Sequence, residues 1–296
     1  METGRMMMRP PKSLLASLLI DPSLQKLSTA FHETGRRIGG KPHRVIFYHR
    51  VADAWSWLLA QCLPQLISEY DIEIEVRLIS ALPIDAVSDP DRLDLYASYD
   101  AMRLARAWQL DFPDGAQSPA PALVRLAERV ILEQPKNSVD MLIAATRAVW
   151  SADSRGLAAL AQGHSPLSEQ RAAAILSNNS RDLCRRGHFL GGMLWYQGEW
   201  FWGLDRLAFL EQRLRNYGIN KSDKTINSQR FRPLERHLAG GSLPLDIEYF
   251  FSFRSPYAYI GAQRVTRLAD RLGLNLVLRP VLPMVMRGTP VPTRKL

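Results

Sequence analysis

The sequence predicts an α/β protein in which a block of helices interrupts a small sheet, followed by a second, shorter βαβ stretch. Three observations carry that expectation. Strand-like segments flank one helix near the start, at Arg44–Arg50 and Ile72–Ile79. From about Asp91 to Arg186 the periodicity is helical throughout. Strand character then returns at Gly192–Trp202, and again from Ile247.

Taken in order, the first 42 residues form an N-terminal extension. Its basic start and apolar run, Leu14–Ile20, are too short for a membrane span, and no small-residue cleavage pattern follows. Ser13–Phe31 is expected to be an amphipathic helix and the protein cytoplasmic. Within 43–217, RVIFYHR (44–50) is a strand, and Ala52–Tyr70 a helix with Trp55, Leu58, Leu59, Leu63 and Leu66 at helical spacing. IEIEVRLI (72–79) alternates as a second strand. These make a βαβ unit with parallel strands. Five helices are expected in the insertion, 90–187: Leu93–Gln109, Ala122–Glu133, Ser138–Trp150, Leu157–Gln162 and Ser168–Cys184. A hairpin (192–197 and 199–202) and a helix Asp205–Asn216, stopped by Gly218, complete the domain. The order βαβ, helical block, ββα is a thioredoxin-like fold with a helical domain inserted between its halves.

After a linker, 218–244, the opening unit recurs 202 positions later (255 minus 53). VIFYHRVADAWSWLLAQ from Val45 aligns with IEYFFSFRSPYAYIGAQ from Ile247. Phe47 falls on Tyr249, Trp55 on Tyr257 and Trp57 on Tyr259. The stretch 245–296 is expected to be an incomplete second unit of the same kind.

Composition narrows the function. The net charge of +9 is spread over scattered Lys and Arg with no long cluster, so no nucleic-acid partner is expected. No membrane partner is expected either. Cys62 and Cys184 stand far apart, with no redox or metal spacing, and read as small buried apolar residues in a reducing compartment. With Cys62 placed mid-helix, disulfide exchange is not expected. His49 and His188 lack metal-ligand neighbours and read as structural; no metal is expected.

FFSFRSPYAYIGAQR (250–264), GEWFWGLDRLAFLEQRL (198–214) and, more weakly, YDAMRLARAWQLDFP and AATRAVWSAD carry a resemblance. The chain resembles the DsbA-like thioredoxin family, in particular its 2-hydroxychromene-2-carboxylate isomerase and kappa-class glutathione transferase branch. The resemblance covers most of 44–214, and 245–289 as a partial second copy. It implies a glutathione- or thiol-dependent oxidoreductase or isomerase, with glutathione as cofactor and a small thiol or aromatic substrate.

In that branch a serine at the first helix's N-terminus holds the glutathione thiolate. Ser255 aligns there and is the expected catalytic residue; as a helix cap it has an equally ordinary role. Asp53 is its counterpart in the first unit. Two like charges about 4 Å apart repel by about 4 kcal/mol at an effective dielectric of 20, which sets Asp53 against a thiolate. Gly192 aligns with the family's cis-proline, where a trans peptide is expected because a non-proline cis bond costs about 2.5–4 kcal/mol. Asp205 is the expected partner for the glutathione ammonium, or else a cap of the last helix. Asp205, Gly192 and Asp53 are thus the cofactor-binding candidates. Two alternatives remain: a non-catalytic, degenerate thioredoxin-fold binding protein, or a fragment of a longer tandem enzyme. The incomplete second unit could also pair two copies as a homodimer.

Overall fold

The computed structural model describes residues 22–80, 87, 89–115, 117–135, 138–163, 165–226, 245–283 and 286. It divides into two compact units, residues 1–81 with 97–227, and residues 82–96 with 228–296.

In the first unit, β1 (Arg44–His49) is central. It pairs in parallel with β2 (Glu73–Leu78), Arg44 opposite Glu73, and antiparallel with β3 (Met193–Tyr196), Ile46 opposite Trp195. β4 (Glu199–Trp202) closes the hairpin, so the strand order is β2-β1-β3-β4. RVIFYH is buried on both faces, as a central strand covered on both sides must be. Val45 and Phe47 join the larger core with Leu58, Leu59, Leu66, Leu194, Leu207 and Leu210. Ile46 and Tyr48 point the other way, onto Met193 and Leu183.

The expected helix Ala52–Tyr70 is two helices, α2 (Ala54–Ala60) and α3 (Leu63–Glu69). Pro64 has no N–H to donate and fits only a first turn, so the helix restarts there. Cys62 is consequently not mid-helix but stands just before α3, where its side chain makes no capping bond; it is fully buried, with its N–H on the Leu59 carbonyl at 3.0 Å. The expected N-terminal helix is α1 (Pro22–Ile38); the part assigned before Pro22 lies outside the described residues. It runs past Phe31 because Glu33 pairs with Arg36 and Arg37, one turn on.

The insertion holds α4 (Pro90–Trp108), α5 (Pro121–Glu133), α6 (Val139–Trp150), α7 (Ser154–Gln162) and α8 (Glu169–Arg185). Helices α5, α6 and α7 pack on one another, α6 lies against α2, and α8 against β2. Asp182 of α8 takes hydrogen bonds from Tyr48 and Arg77, tying the insertion to the sheet's second face. Cys184 is exposed, contrary to expectation, since it lies on the solvent side of amphipathic α8. A 3₁₀ turn (Leu204–Arg206) leads into α9 (Leu207–Asn216).

The second unit contains β5 (Asp246–Phe251), α10 (Pro256–Leu272) and β6 (Asn275–Pro280). β5 and β6 are parallel, Asp246 opposite Asn275. Asp246, Ser255 and Asn275 each follow Arg44, Asp53 and Glu73 by the offset already seen in the sequence. Gly273 ends α10 at φ +62°, a left-handed cap that suits glycine.

Replacing Asp182 by alanine strips Tyr48 and Arg77 of a shared acceptor in a half-buried place. The expected loss is about 1–3 kcal/mol of unfolding free energy by denaturant titration. An unchanged midpoint would show that the clamp contributes nothing.

Candidate functional site

The candidate site is at the carboxyl end of β1, where α2 begins. Asp53 caps α2 from extended backbone. Its Oδ2 accepts the Ser56 N–H at 2.9 Å and the Ser56 hydroxyl at 2.6 Å. The Ser56 oxygen in turn accepts the Arg50 N–H at 3.3 Å. Ser56 is fully buried and Asp53 nearly so. The anion seat of this helix N-terminus is therefore filled by the chain's own carboxylate.

The hairpin loop closes over it. A methyl group on Gly191 would stand 2.8 Å from the Ser56 hydroxyl oxygen, 3.0 Å from Arg50 Cβ and 3.1 Å from Asp53 Oδ2. Gly192 has φ +65°, and a side chain there would meet the Ser56 N at 3.3 Å. No cis peptide occurs among the described residues, so the Gly191–Gly192 bond is trans. The Gly192 carbonyl accepts the Gly203 N–H at 2.9 Å, which brings the 3₁₀ turn and Asp205 to the same end of the sheet. That turn packs against α2.

Three of the four expected residues, Asp53, Gly192 and Asp205, thus belong to one pole of the first unit. Asp205 is exposed inside the 3₁₀ turn and caps nothing; neither that turn nor α9 has a side-chain cap. Ser255 belongs to the second unit. It is partly exposed and caps α10, accepting the Ala258 N–H at 3.2 Å. Tyr249 donates its hydroxyl to the Ala258 carbonyl at 2.5 Å, bracing that first turn against β5.

Residues from the insertion reach the first pole; the sequence placed Thr146 and Trp150 in the weaker motif AATRAVWSAD but gave neither a role, and did not single out Glu128. His49, at the end of β1, is fully buried; burial pushes its pKa down to about 3, so the ring is neutral. Its Nε2 lies 3.2 Å from the Thr146 hydroxyl on α6, and Nδ1 has no partner among the described residues. The Trp150 indole donates to the Val51 carbonyl at 3.1 Å. Burial pushes the Glu128 carboxyl of α5 up to about 7, against the pull of Arg125 and Arg50. The charge of Arg50 acts on this helical acid across elements, which residue spacing cannot reveal. Among the described residues no group of three or more His, Cys, Asp or Glu could hold a metal.

Parallel β1–β2, a helical block, then an antiparallel hairpin beside β1 and a closing helix define the arrangement. The first unit has a thioredoxin-like fold with a helical block inserted between its halves. No protein-family model matches the sequence, and no curated protein is significantly similar to it. Among solved structures the chain is similar to a 2-hydroxychromene-2-carboxylate isomerase, with 19% identity over 59% of this chain and 96% of the other, TM-score 0.43. It is also similar to the cytosolic disulfide reductase DsbM from Pseudomonas aeruginosa, with 14% identity, 58% and 99% coverage and TM-score 0.38. A putative protein disulfide isomerase from Nitrosomonas europaea gives 15%, 60% and 97%, and 0.43. No helix among the described residues is long and apolar enough to cross a membrane.

Two measurements probe this pole. The folded state holds the Glu128 proton up to about 7, above the ordinary 4.5. The stability this contributes is complete below 4.5 and is lost as pH rises through about 7. Glu128→Gln should therefore flatten the fall in Tm between about pH 5 and 8; an unaltered slope would place the titration elsewhere. Gly191→Ala forces a methyl into the Ser56–Asp53 cap and should cost about 1–3 kcal/mol in denaturant unfolding. Wild-type stability in that variant would mean the loop is not packed on the cap.

Proposed function

We propose that the first unit is a thioredoxin-fold scaffold without thiol chemistry of its own, and that glutathione or thiol binding, where the chain has it, belongs to Ser255 of the second unit. The observation that carries the first half is the Asp53 carboxylate seated on the Ser56 N–H and hydroxyl. A thiolate in that seat would have to displace a carboxylate that already has both donors, and would face its charge. The fully buried Cys62 offers no substitute nucleophile.

The second half is favoured by Ser255 standing as the cap of a longer helix that begins with Pro256, with its side chain partly exposed. A serine hydroxyl there can donate to a thiolate, and the helix start favours the anion. Asp205, exposed at the first pole, is the group to which a glutathione ammonium would be assigned if the first unit bound the tripeptide after all. The cytoplasm is the compartment we assign, since reduced thiols and glutathione are there together.

Isothermal titration of reduced glutathione into the full chain separates these readings. Ser255→Ala should weaken binding about tenfold, the value of one charge-assisted hydrogen bond. Asp53→Ser should leave it unchanged or improve it. Binding lost in Asp53→Ser and intact in Ser255→Ala would reverse the assignment. No binding to the parent chain would leave a non-catalytic scaffold in both units.

A further inference from the structure

β5 of the second unit has a strand beside it on one edge only. Among the described residues its sheet is the pair β5–β6, whereas β1, the strand 202 positions earlier, lies between β2 and β3. β3 takes β1 at Ile46, Phe47 and Tyr48. The aligned residues of β5 are Glu248, Tyr249 and Phe250, whose outer edge meets no strand among the described residues. Exposure follows the missing neighbour: Tyr48 is fully buried, while Phe250 is 61% exposed.

The two edges of this small sheet are not alike. β6 ends in Arg279 and Pro280, a charge and a residue without an N–H, both ordinary guards of an open edge. DIEYFF holds no lysine, arginine or proline. Tyr249 turns toward α10, where it bonds the Ala258 carbonyl, so by alternation Ile247 and Phe251 share that face. Asp246, Glu248 and Phe250 share the other face, on which Arg279 donates to Glu248 at 2.8 and 2.6 Å.

The order of residues in β5 selects its partner. Two copies of the strand can run antiparallel with Tyr249 opposite Tyr249, the middle of the three positions at which β1 takes β3. Ile247 then stands opposite Phe251, Glu248 opposite Phe250 and Asp246 opposite Ser252. No acid faces an acid, and every pair on the α10 side is apolar or aromatic. The acids lie at the start of the strand and Arg254 follows its end, so each acidic start meets the other copy's basic end. A slip of one residue turns the apolar face outward. A slip of two in one direction sets Glu248 against Glu248, and in the other leaves only Tyr249 to Phe251 paired within the strands.

We propose that β5 pairs antiparallel with β5 of a second copy of this chain, centred on Tyr249. The product is one four-stranded sheet with both α10 helices on the same face. The contact is two-fold, so it closes at two chains. It uses the sheet edge and not the Ser255 hydroxyl, so it stands whether or not glutathione binds.

Sedimentation velocity of the full chain tests it. The parent should dimerise with a Kd of about 1–100 µM. Phe250→Glu sets a carboxylate against Glu248 of the other copy, twice by symmetry, and should weaken the dimer at least about tenfold. Phe250→Lys sets an ammonium there and should stay within about threefold of the parent. Both variants remove the same exposed ring. Within one chain Phe250 lies beside Arg279, where the ammonium is the less favourable of the two, so neither lost apolar surface nor folding stability reproduces that order. In a Glu248→Gln background the two variants should differ by less than about threefold. A parent that stays monomeric at about 200 µM, assembly beyond two chains, or equal weakening by Phe250→Glu and Phe250→Lys would each overturn the proposal.

Discussion

The structure depends on one pairing, the antiparallel contact of β1 with β3. Val45, Phe47, Leu194 and Tyr196 lie on one side of this contact and Ile46, Tyr48 and Met193 on the other, so both cores are built across it. The same contact carries the Gly191–Gly192 loop onto the start of α2 and the hairpin's far end onto α1. The Asp53 pole and the α1 end are thus two ends of one pair of strands. What separates them is side-chain chemistry: glycines and a self-satisfied carboxylate at one end, the Arg36–Glu33 pair and the exposed Phe31 ring at the other.

The sheet was legible because its strands announce themselves. IEIEVRL alternates and buries alternate residues, while RVIFYH is apolar on both sides and lies in the middle. Helix starts were legible where a capping residue precedes them, as at Asp53, Ser168 and Ser255. The break at Pro64 was written in the sequence too, but the apolar periodicity runs through it undisturbed and argues for a single helix. Asp205 misled for a related reason. It precedes a helical run as a cap would, yet Gly203 at φ +57° turns the chain into a 3₁₀ step that leaves the carboxylate outside.

The candidate site was legible only in part. Aligning Asp53 with Ser255 pointed to the right helix starts, and the charge argument against a thiolate at Asp53 is strengthened by the two donors it already holds. Glu128, Thr146 and Trp150 could not be found this way. They come from helices of the insertion and meet β1 only through packing, which leaves no local spacing to read. Arg36, Lys41 and Arg44 lie within nine residues of one another, but Trp195 meets that stretch only through the sheet.

The central strand also sets the order in which the chain can assemble. Its parallel partner β2 follows within one helical crossover, but β3 arrives only after the whole helical block has been made and folded back. Closing so large a loop is slow, because its entropy must be lost before the new contacts form. During that interval RVIFYH has one edge unpaired, a six-residue segment rich in aromatic and β-branched side chains, with a charge only at its first residue and a histidine at its last. Such segments are templates for pairing between chains. The yield of soluble protein is therefore governed less by the depth of the finished core than by how quickly the hairpin covers that edge.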